Sequence, residues 1–286
     1  MPRQTPLKAT VVIPAHGREN LLARAYNSVL SCPGSESVEI IIVDDASTPP
    51  ISLNLRRAQD RLIRLRKKSG AAVARNAGIR SASGQIIYLL DSDDYFIERD
   101  FDRDASIFEQ GSLYYCDTAS PDRSHYPSQI GRGDLINFLM FKHAHICQTS
   151  TLAFSRDLGL RFDETLPKHQ DWDLVLCAAL QGISLHKSPG LVYFDRSDKG
   201  SLSRSYDPSR SMPWIRKIRN LQGLSPEDID IIHYHVFAKY PSEISWRVFG
   251  TTSISLLFHG RTSIRFILRA LAHRLIQYTM LLRRKH

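Results

Sequence analysis

The sequence predicts an α/β protein with a mostly parallel central sheet, helices on both sheet faces, and an all-helical C-terminal region. Three observations carry this. Short apolar runs recur at Ala9–Ile13, Val38–Val43 and Ile86–Leu90, and the latter two end in aspartates. Continuous apolar runs of that length fit strands buried on both faces, as in the middle of a parallel sheet. Helical periodicity lies between them, and from Ser225 onward the strand signals cease.

The elements follow in order. Ala9 to Ile13 is a first strand, stopped by Pro14. Leu21, Leu22, Ala25, Val29 and Leu30 have helical spacing, closed near Cys32-Pro33-Gly34. Val38 to Val43 is a second strand and Leu62 to Leu65 a short third. Ser69 to Ile79 is a small-residue loop and helix leading into the strand at Ile86. Beyond Phe96 the reading gives strands at Leu113–Tyr115, Thr149–Ser155 and Leu191–Phe194, and helices at Gly133–Phe141 and Asp171–Leu180. Pro121–Gly133 and Asp195–Pro213 read as loops. Ser225-Pro226-Glu227-Asp228 has an N-cap, a first-turn proline and early acids, a good helix start. The expected division is an α/β domain over residues 1–223, with halves of about 8–100 and 101–223, followed by a helical region over 224–286.

Composition removes several classes. A chain of 286 residues, 42% hydrophobic and 23% charged, is an ordinary globular protein and not a disordered one. Four scattered cysteines with no Cys-x-x-Cys pair point away from a zinc site or disulfide framework and suit a reducing compartment. The polar start runs straight into a strand, so no signal peptide is expected, and no apolar run approaches a transmembrane span. The expected location is cytoplasmic, with peripheral contact at the inner face of the membrane.

The net charge is +9, but residues 244–286 hold no Asp or Glu and eight Arg or Lys, leaving the rest nearly neutral. Basicity confined to one tail, with no recognisable nucleic-acid motif, speaks against nucleic-acid binding. From Arg261 onward, Ile264, Ile267, Leu268, Leu271, Leu275, Tyr278 and Leu282 form one apolar stripe, with Arg261, Arg265, Arg269 and His273 on another side. Two readings remain open. The stripe packs on the preceding helices, which is favoured, or it lies on an anionic membrane.

Asp91, Asp93 and Asp94 stand directly after the strand at Ile86. Three carboxylates so close repel one another unless a cation sits among them, and oxygen ligands suit Mg2+ or Mn2+. The carboxyl ends of parallel strands are where open α/β sheets bind ligands. The first turn, Pro14-Ala15-His16-Gly17-Arg18, has neither a Gly-x-Gly-x-x-Gly nor a Walker A pattern, so side chains must do most of the work of holding a nucleotide. A nucleotidyltransferase would be expected to carry a Gly-rich basic loop there.

The segment from Val11 to Asp94 resembles the nucleotide-sugar half of family 2 glycosyltransferases of the GT-A fold. The resemblance rests on Val12-Ile13-Pro14-Ala15, Val43-Asp44-Asp45-Ala46-Ser47, Ala74-Arg75-Asn76-Ala77-Gly78-Ile79 and Leu90-Asp91-Ser92-Asp93-Asp94. His169-Gln170-Asp171-Trp172-Asp173-Leu174 extends it to about Tyr193, and the remaining third is not covered. It implies an inverting, metal-dependent glycosyl transfer from a nucleotide sugar, UDP- or dTDP-linked, to a hydroxyl of a saccharide or lipid-linked acceptor in surface polysaccharide or glycoconjugate assembly. Asp45 would accept a hydrogen bond from the base. Pro14, Ala15, His16, Arg18, Arg75, Asn76 and Ser92 would line the nucleotide, and Asp91, Asp93 and Asp94 would hold the metal. Asp171 would be the general base, with burial beside Trp172 raising its pKa. His169, Trp172 and, on the loop at Ser201–Ser205, Arg204 are the acceptor and lid candidates. His16-Gly17 stands where the family has Tyr-Asn, and Gln170 where it has Glu. Those two departures keep open the alternative of a catalytically impaired nucleotide-sugar-binding subunit.

Overall fold

A computed structural model describes residues 7–119, 129–130, 147–195, 207–237, 246–258, 264, 267–268, 270–272 and 274–275. The chain divides into two compact units. The first comprises Met1–Arg132, His145–Leu166 and Gln170–Arg204, and the second Gly133–Ala144, Pro167–His169 and Ser205–His286.

The first unit is built on one mixed sheet. Its strands are β1 (Ala9–Ala15), β2 (Val38–Asp44), β3 (Arg61–Arg64), β4 (Ile86–Leu89), β5 (Tyr95–Glu98), β6 (Leu113–Thr118), β7 (Gln129–Ile130), β8 (Leu152–Ser155) and β9 (Leu185–Tyr193). They lie in the order β3-β2-β1-β4-β8-β6-β9-β5, with β7 pairing β9. The predicted parallel sheet is present across β3, β2, β1 and β4. Pairing turns antiparallel where β4 meets β8, and β6 and β9 are parallel again. All residues of β1, β2 and β4 are buried, including the polar Thr10, Glu39 and Asp44.

Helices α1 (Glu19–Leu30), α2 (Ala71–Ser81), α3 (Phe101–Ile107) and α4 (Gln170–Leu180) accompany the sheet. Leu22, Ala25, Tyr26 and Val29 form the buried stripe of α1. The small residues of α2 let it lie close to the sheet, and a Cβ at Gly78 would run into the Val12 side chain. Pro14 does not stop β1 as expected. It pairs in register with Val43, while β4 accompanies β1 only as far as Val12, whose carbonyl accepts from the Leu90 N–H. The N–H that proline lacks therefore falls on a side β4 has already left.

Three features go beyond the expected pattern. β5 and α3 follow the acidic loop directly, with Asp100 capping α3 through the Arg103 N–H at 2.9 Å. β9 starts six residues earlier than the expected Leu191, and its pairing with β6 shifts register between Tyr115 and Asp117. A fully buried ion pair, Arg99 Nη1 to Asp104 Oδ2 at 2.8 Å, joins β5's end to α3, with the guanidinium over the Tyr88 and Phe96 rings.

The second unit contains α5 (Met212–Arg219), α6 (Pro226–Phe237) and α7 (Trp246–Phe258). The expected helix start is present as a reciprocal cap: the Asp228 N–H donates to Ser225 Oγ, and the Ser225 N–H to Asp228 Oδ2, both at 3.1 Å. Residues Ile264, Ile267–Leu268, Ala270–Ala272 and Arg274–Leu275 are helical. Here the favoured packing of the apolar stripe is corrected. Ile264, Leu268 and Leu275 are 62%, 56% and 51% exposed, whereas Ala270 and Arg274 are fully buried. The Arg274 guanidinium lies over the Phe249 ring, so the helix turns a mixed edge inward and much of its stripe outward. Tyr278 and Leu282 lie outside the described residues. Among the described residues, no helix is long and apolar enough to cross a membrane.

Candidate functional site

The sheet places Pro14, Ala15, Asp45 and the acidic loop Asp91–Asp94 at the carboxyl ends of β1, β2 and β4, while Arg75 and Asn76 lie on α2 and Asp171 on α4. At the end of β2, Asp44 is buried and accepts from the Ser47 N–H at 2.8 Å and Oγ at 2.5 Å, and it pairs with Arg64. These bonds hold its pKa below the carboxylate range against the opposing effect of burial. They also fix a turn in which Ala46 adopts a φ of 54°. That turn presents Asp45, whose Oδ1 accepts from the Ser69 N–H at 2.6 Å and Oδ2 from the Gly70 N–H at 2.8 Å.

Across from it, Pro14 and Ala15 are buried within β1, while His16 and Arg18 are exposed beyond its end. His16 Nδ1 lies 2.9 Å from the Asp45 carbonyl oxygen. A carbonyl only accepts, so Nδ1 carries the proton and the ring is held by Asp45's own backbone. Gly17 and Arg18 both have positive φ, at 63° and 52°, and the Gly17 N–H donates to Ser47 Oγ at 2.8 Å.

The acidic loop after β4 is tied down on several sides. Asp91 Oδ1 accepts from Arg75 Nη2 at 2.6 Å, and Asp93 Oδ2 from Arg18 Nη1 at 3.3 Å. Ser92 is buried. Asp94 is engaged inside the protein: Ser150 Oγ donates to its Oδ2 at 2.5 Å and the Asp195 N–H to its Oδ1 at 3.2 Å. The same Ser150 hydroxyl accepts from the Asp91 N–H at 3.0 Å. Burial, with the Asp91 and Asp93 charges adding to it, pushes the Asp94 carboxyl up to about 8.

Arg75 links this loop to α4. Its other nitrogen, Nη1, donates to Gln170 Oε1 at 3.0 Å, and its guanidinium lies over the Phe162 ring. Gln170 in turn donates to the Leu166 carbonyl at 2.6 Å. The next residue is Asp171, whose Oδ1 accepts from the Trp172 N–H at 2.9 Å. Burial pushes the Asp171 carboxyl from 3.8 up to about 6, against the lowering effects of that hydrogen bond and of Arg75, and the Asp91 charge adds to the rise. That is the direction expected from the sequence. Asp173 is buried on the same helix.

The structure therefore brings Asp91, Arg75, Gln170 and Asp171 into one neighbourhood, and His16, Asp45 and the Ser69–Gly70 backbone into another. Asn76 is occupied differently from expectation. Its Nδ2 donates to the Phe162 carbonyl and to Glu164 Oε1, both at 2.9 Å, and its Oδ1 accepts from the Phe162 N–H. It clamps the 162–164 segment to α2. His169 belongs to the second unit, where Nε2 lies 2.9 Å from Ser211 Oγ and the ring is 4.8 Å from that of Trp214. Arg204 lies outside the described residues. Sequence reasoning missed Ser150 and Arg24, whose Nη2 donates to the Asp93 carbonyl at 2.6 Å and to Asp195 Oδ2 at 2.8 Å. Arg24 carried one signal, a lone cation in the α1 helix, and Ser150 carried none.

Among the described residues, no group of three or more His, Cys, Asp or Glu side chains is arranged to hold a metal ion. The donor chemistry of Asp91 and Asp93 nonetheless fits a hard divalent cation. Both offer carboxylate oxygens at the loop, and each is paired with a guanidinium cation. Asp94, expected as a third ligand, has each oxygen bonded within the protein.

Residues 10–158 match the profile of glycosyl transferase family 2. The succinoglycan biosynthesis protein ExoO of Rhizobium meliloti is 29% identical over 219 residues, 68% of this chain and 62% of that protein. The crystal structure of S. aureus TarS 1–349 in complex with UDP-GlcNAc aligns with a TM-score of 0.58 at 16% identity, covering 95% of this chain and 89% of the other. The mannosyltransferase PcManGT from Pyrobaculum calidifontis, in complex with GDP-Man and Mn2+, aligns with a TM-score of 0.55 at 16% identity, covering 94% and 87%. These two share the fold. The chain spans from about a fifth to about three fifths of the length of the curated relatives it matches most strongly.

Proposed function

Because the chain belongs to glycosyl transferase family 2, we propose that it moves a sugar, with inversion, from a nucleotide-sugar donor to an acceptor hydroxyl in polysaccharide or glycoconjugate assembly. The observation that carries this is the double contact of Arg75, to Asp91 on one side and to Gln170 beside Asp171 on the other. One guanidinium thus joins the acidic loop to the helix bearing the base. The relatives add context, since ExoO is named for succinoglycan biosynthesis and the two structural neighbours hold UDP-GlcNAc and GDP-Man. The donor is a UDP- or dTDP-sugar and the acceptor a saccharide or a lipid-linked saccharide at the cytoplasmic face of the membrane.

Each residue has a role in this reading. Asp45 faces the base as a carboxylate held by two backbone N–H groups, each oxygen retaining a lone pair for an N–H of the base. His16, oriented by its Nδ1–H, offers a flat ring beside it. Asp91 and Asp93 would hold Mg2+ or Mn2+, which when bound neutralises charge on the departing nucleoside diphosphate. Arg18 and Arg75 supply guanidinium donors to the phosphate oxygens.

Asp171 takes the proton from the acceptor hydroxyl. A carboxyl at about 6 is a better base than one at 3.8 and is still mostly ionised at neutral pH. As the proton moves to Asp171, the acceptor oxygen bonds to the anomeric carbon and the carbon–oxygen bond to the diphosphate breaks, its electron pair leaving with the diphosphate. Attack opposite the leaving group inverts the configuration.

Thermal-shift titration with nucleoside diphosphates and UDP-, dTDP- and GDP-sugars, with and without Mn2+, tests the donor and the metal together. The expected result is stabilisation by one nucleotide class that requires Mn2+ and is lost in Asp91→Asn and Asp93→Asn. Stabilisation unaffected by metal and by both substitutions would remove the metal from the reading. Donor binding without turnover on any acceptor would favour the binding-subunit alternative, for which Gln170 in place of an acid is the supporting observation.

A further inference from the structure

The second unit presents an exposed apolar face. Ile254 and Leu257 of α7 are 58% and 37% exposed, and Ile264, Leu268 and Leu275 more than half exposed. Elsewhere among the described residues, only Ile97, Ile107 and Tyr193 are large, apolar and exposed. At 100° per residue, Ile264, Leu268 and Leu275 fall within about 40° of arc. Ala270 and Arg274, both buried, fall on the other side of that helix. In α7 likewise, Phe249 and Ser253 are buried while Ile254 and Leu257 are not. Each helical stretch thus has one face packed and one aliphatic face in solvent.

The side-chain charge of this sequence segment is of one sign. Residues 244–286 contain eight Arg or Lys and no carboxylate side chain, and the described Arg274 is turned inward, over Phe249. We propose that this face docks on an anionic lipid surface, with Ile264, Leu268 and Leu275 entering the headgroup boundary and arginines of the same sequence segment meeting lipid phosphates. An exposed aliphatic stripe in an acid-free basic segment is the composition that lies in a membrane interface. A second copy of the chain is a poorer occupant. A two-fold contact through this stripe would bring two acid-free basic segments together, and like charges would oppose it. Docking needs no nucleotide, so it stands or falls separately from the donor reading.

The test is co-sedimentation of the full chain with phosphatidylcholine vesicles, with and without phosphatidylglycerol. The wild type is expected to bind only the anionic vesicles and to be released by high salt. The triple variant Ile264→Ser, Leu268→Ser, Leu275→Ser should lose binding by at least about tenfold. Arg265→Gln with Arg269→Gln should weaken binding about fivefold per charge, and carries the test if the triple variant fails to fold. Unchanged thermal midpoints and unchanged donor-induced stabilisation identify the loss as a surface effect. Failure of the wild type to bind anionic vesicles, equal binding to neutral ones, or equal binding by both variants would overturn the proposal. So would loss of a dimer on sedimentation in place of loss of vesicle binding.

Discussion

Asp171→Asn should make the protein more stable at neutral pH while removing its transfer activity. The folded protein holds the Asp171 proton more tightly than the unfolded chain does, at about 6 against 3.8. A raised carboxyl contributes its full stability below the unfolded pKa. That contribution is lost as pH rises through the folded pKa. Two pKa units correspond to a ceiling of about 3 kcal/mol, and partial exposure of the side chain reduces this to about 1–2 kcal/mol. Asparagine keeps the shape without the charge. Urea unfolding of both proteins between about pH 4.5 and 8 should show the variant ahead by that amount at the top of the range and the gap closing toward the bottom. Transfer should fall by about 10²–10⁴-fold while donor binding persists. A variant no more stable at pH 8, or a gap that does not change with pH, would refute the burial argument. Near wild-type transfer would refute the role as base.

Two further substitutions probe the surroundings. Arg75→Met leaves Asp91 without its guanidinium and removes a group that lowers the Asp171 pKa. Donor affinity measured by calorimetry should drop about 10–100-fold, and the pH midpoint of transfer should move upward. Asp104→Ala strands the fully buried Arg99 charge and should cost about 3–5 kcal/mol in urea unfolding, with donor affinity per folded molecule unchanged.

The first half of the sheet was legible because buried parallel strands carry their signal locally. Ile40–Val43 and Ile86–Leu90 are continuous apolar runs, and each is closed by aspartates at the carboxyl end of its strand. β5 escaped because Tyr95–Glu98 has only Phe96 buried and owes its strand form to pairing with β9, nearly a hundred residues away. The start of β9 was hidden by Ser188-Pro189-Gly190, which reads as a turn and is instead where the strand accommodates a register shift beside Arg99. At the candidate site, residue types and order singled out Asp45, Arg75, Asp91 and Asp171, but not how each side chain is occupied. Asn76 and Asp94 find their partners at Phe162, Glu164, Ser150 and Asp195, and no local pattern announces such distant contacts. In the tail, helical projection put Ile264, Leu268 and Leu275 on one side, and all three are exposed. It could not say which edge faces inward, because that depends on Phe249 accepting Arg274 over its ring.

The seam where β4 meets β8 has a consequence for how this protein can vary or be rebuilt. Ser150, just before β8, bonds to both ends of the acidic loop, and Asp195, just after β9, secures it from another direction. The four residues 91–94 are therefore not a transplantable cassette. A chimera carrying this loop into a related scaffold would have to import the 149–151 turn and the exit of β9 with it.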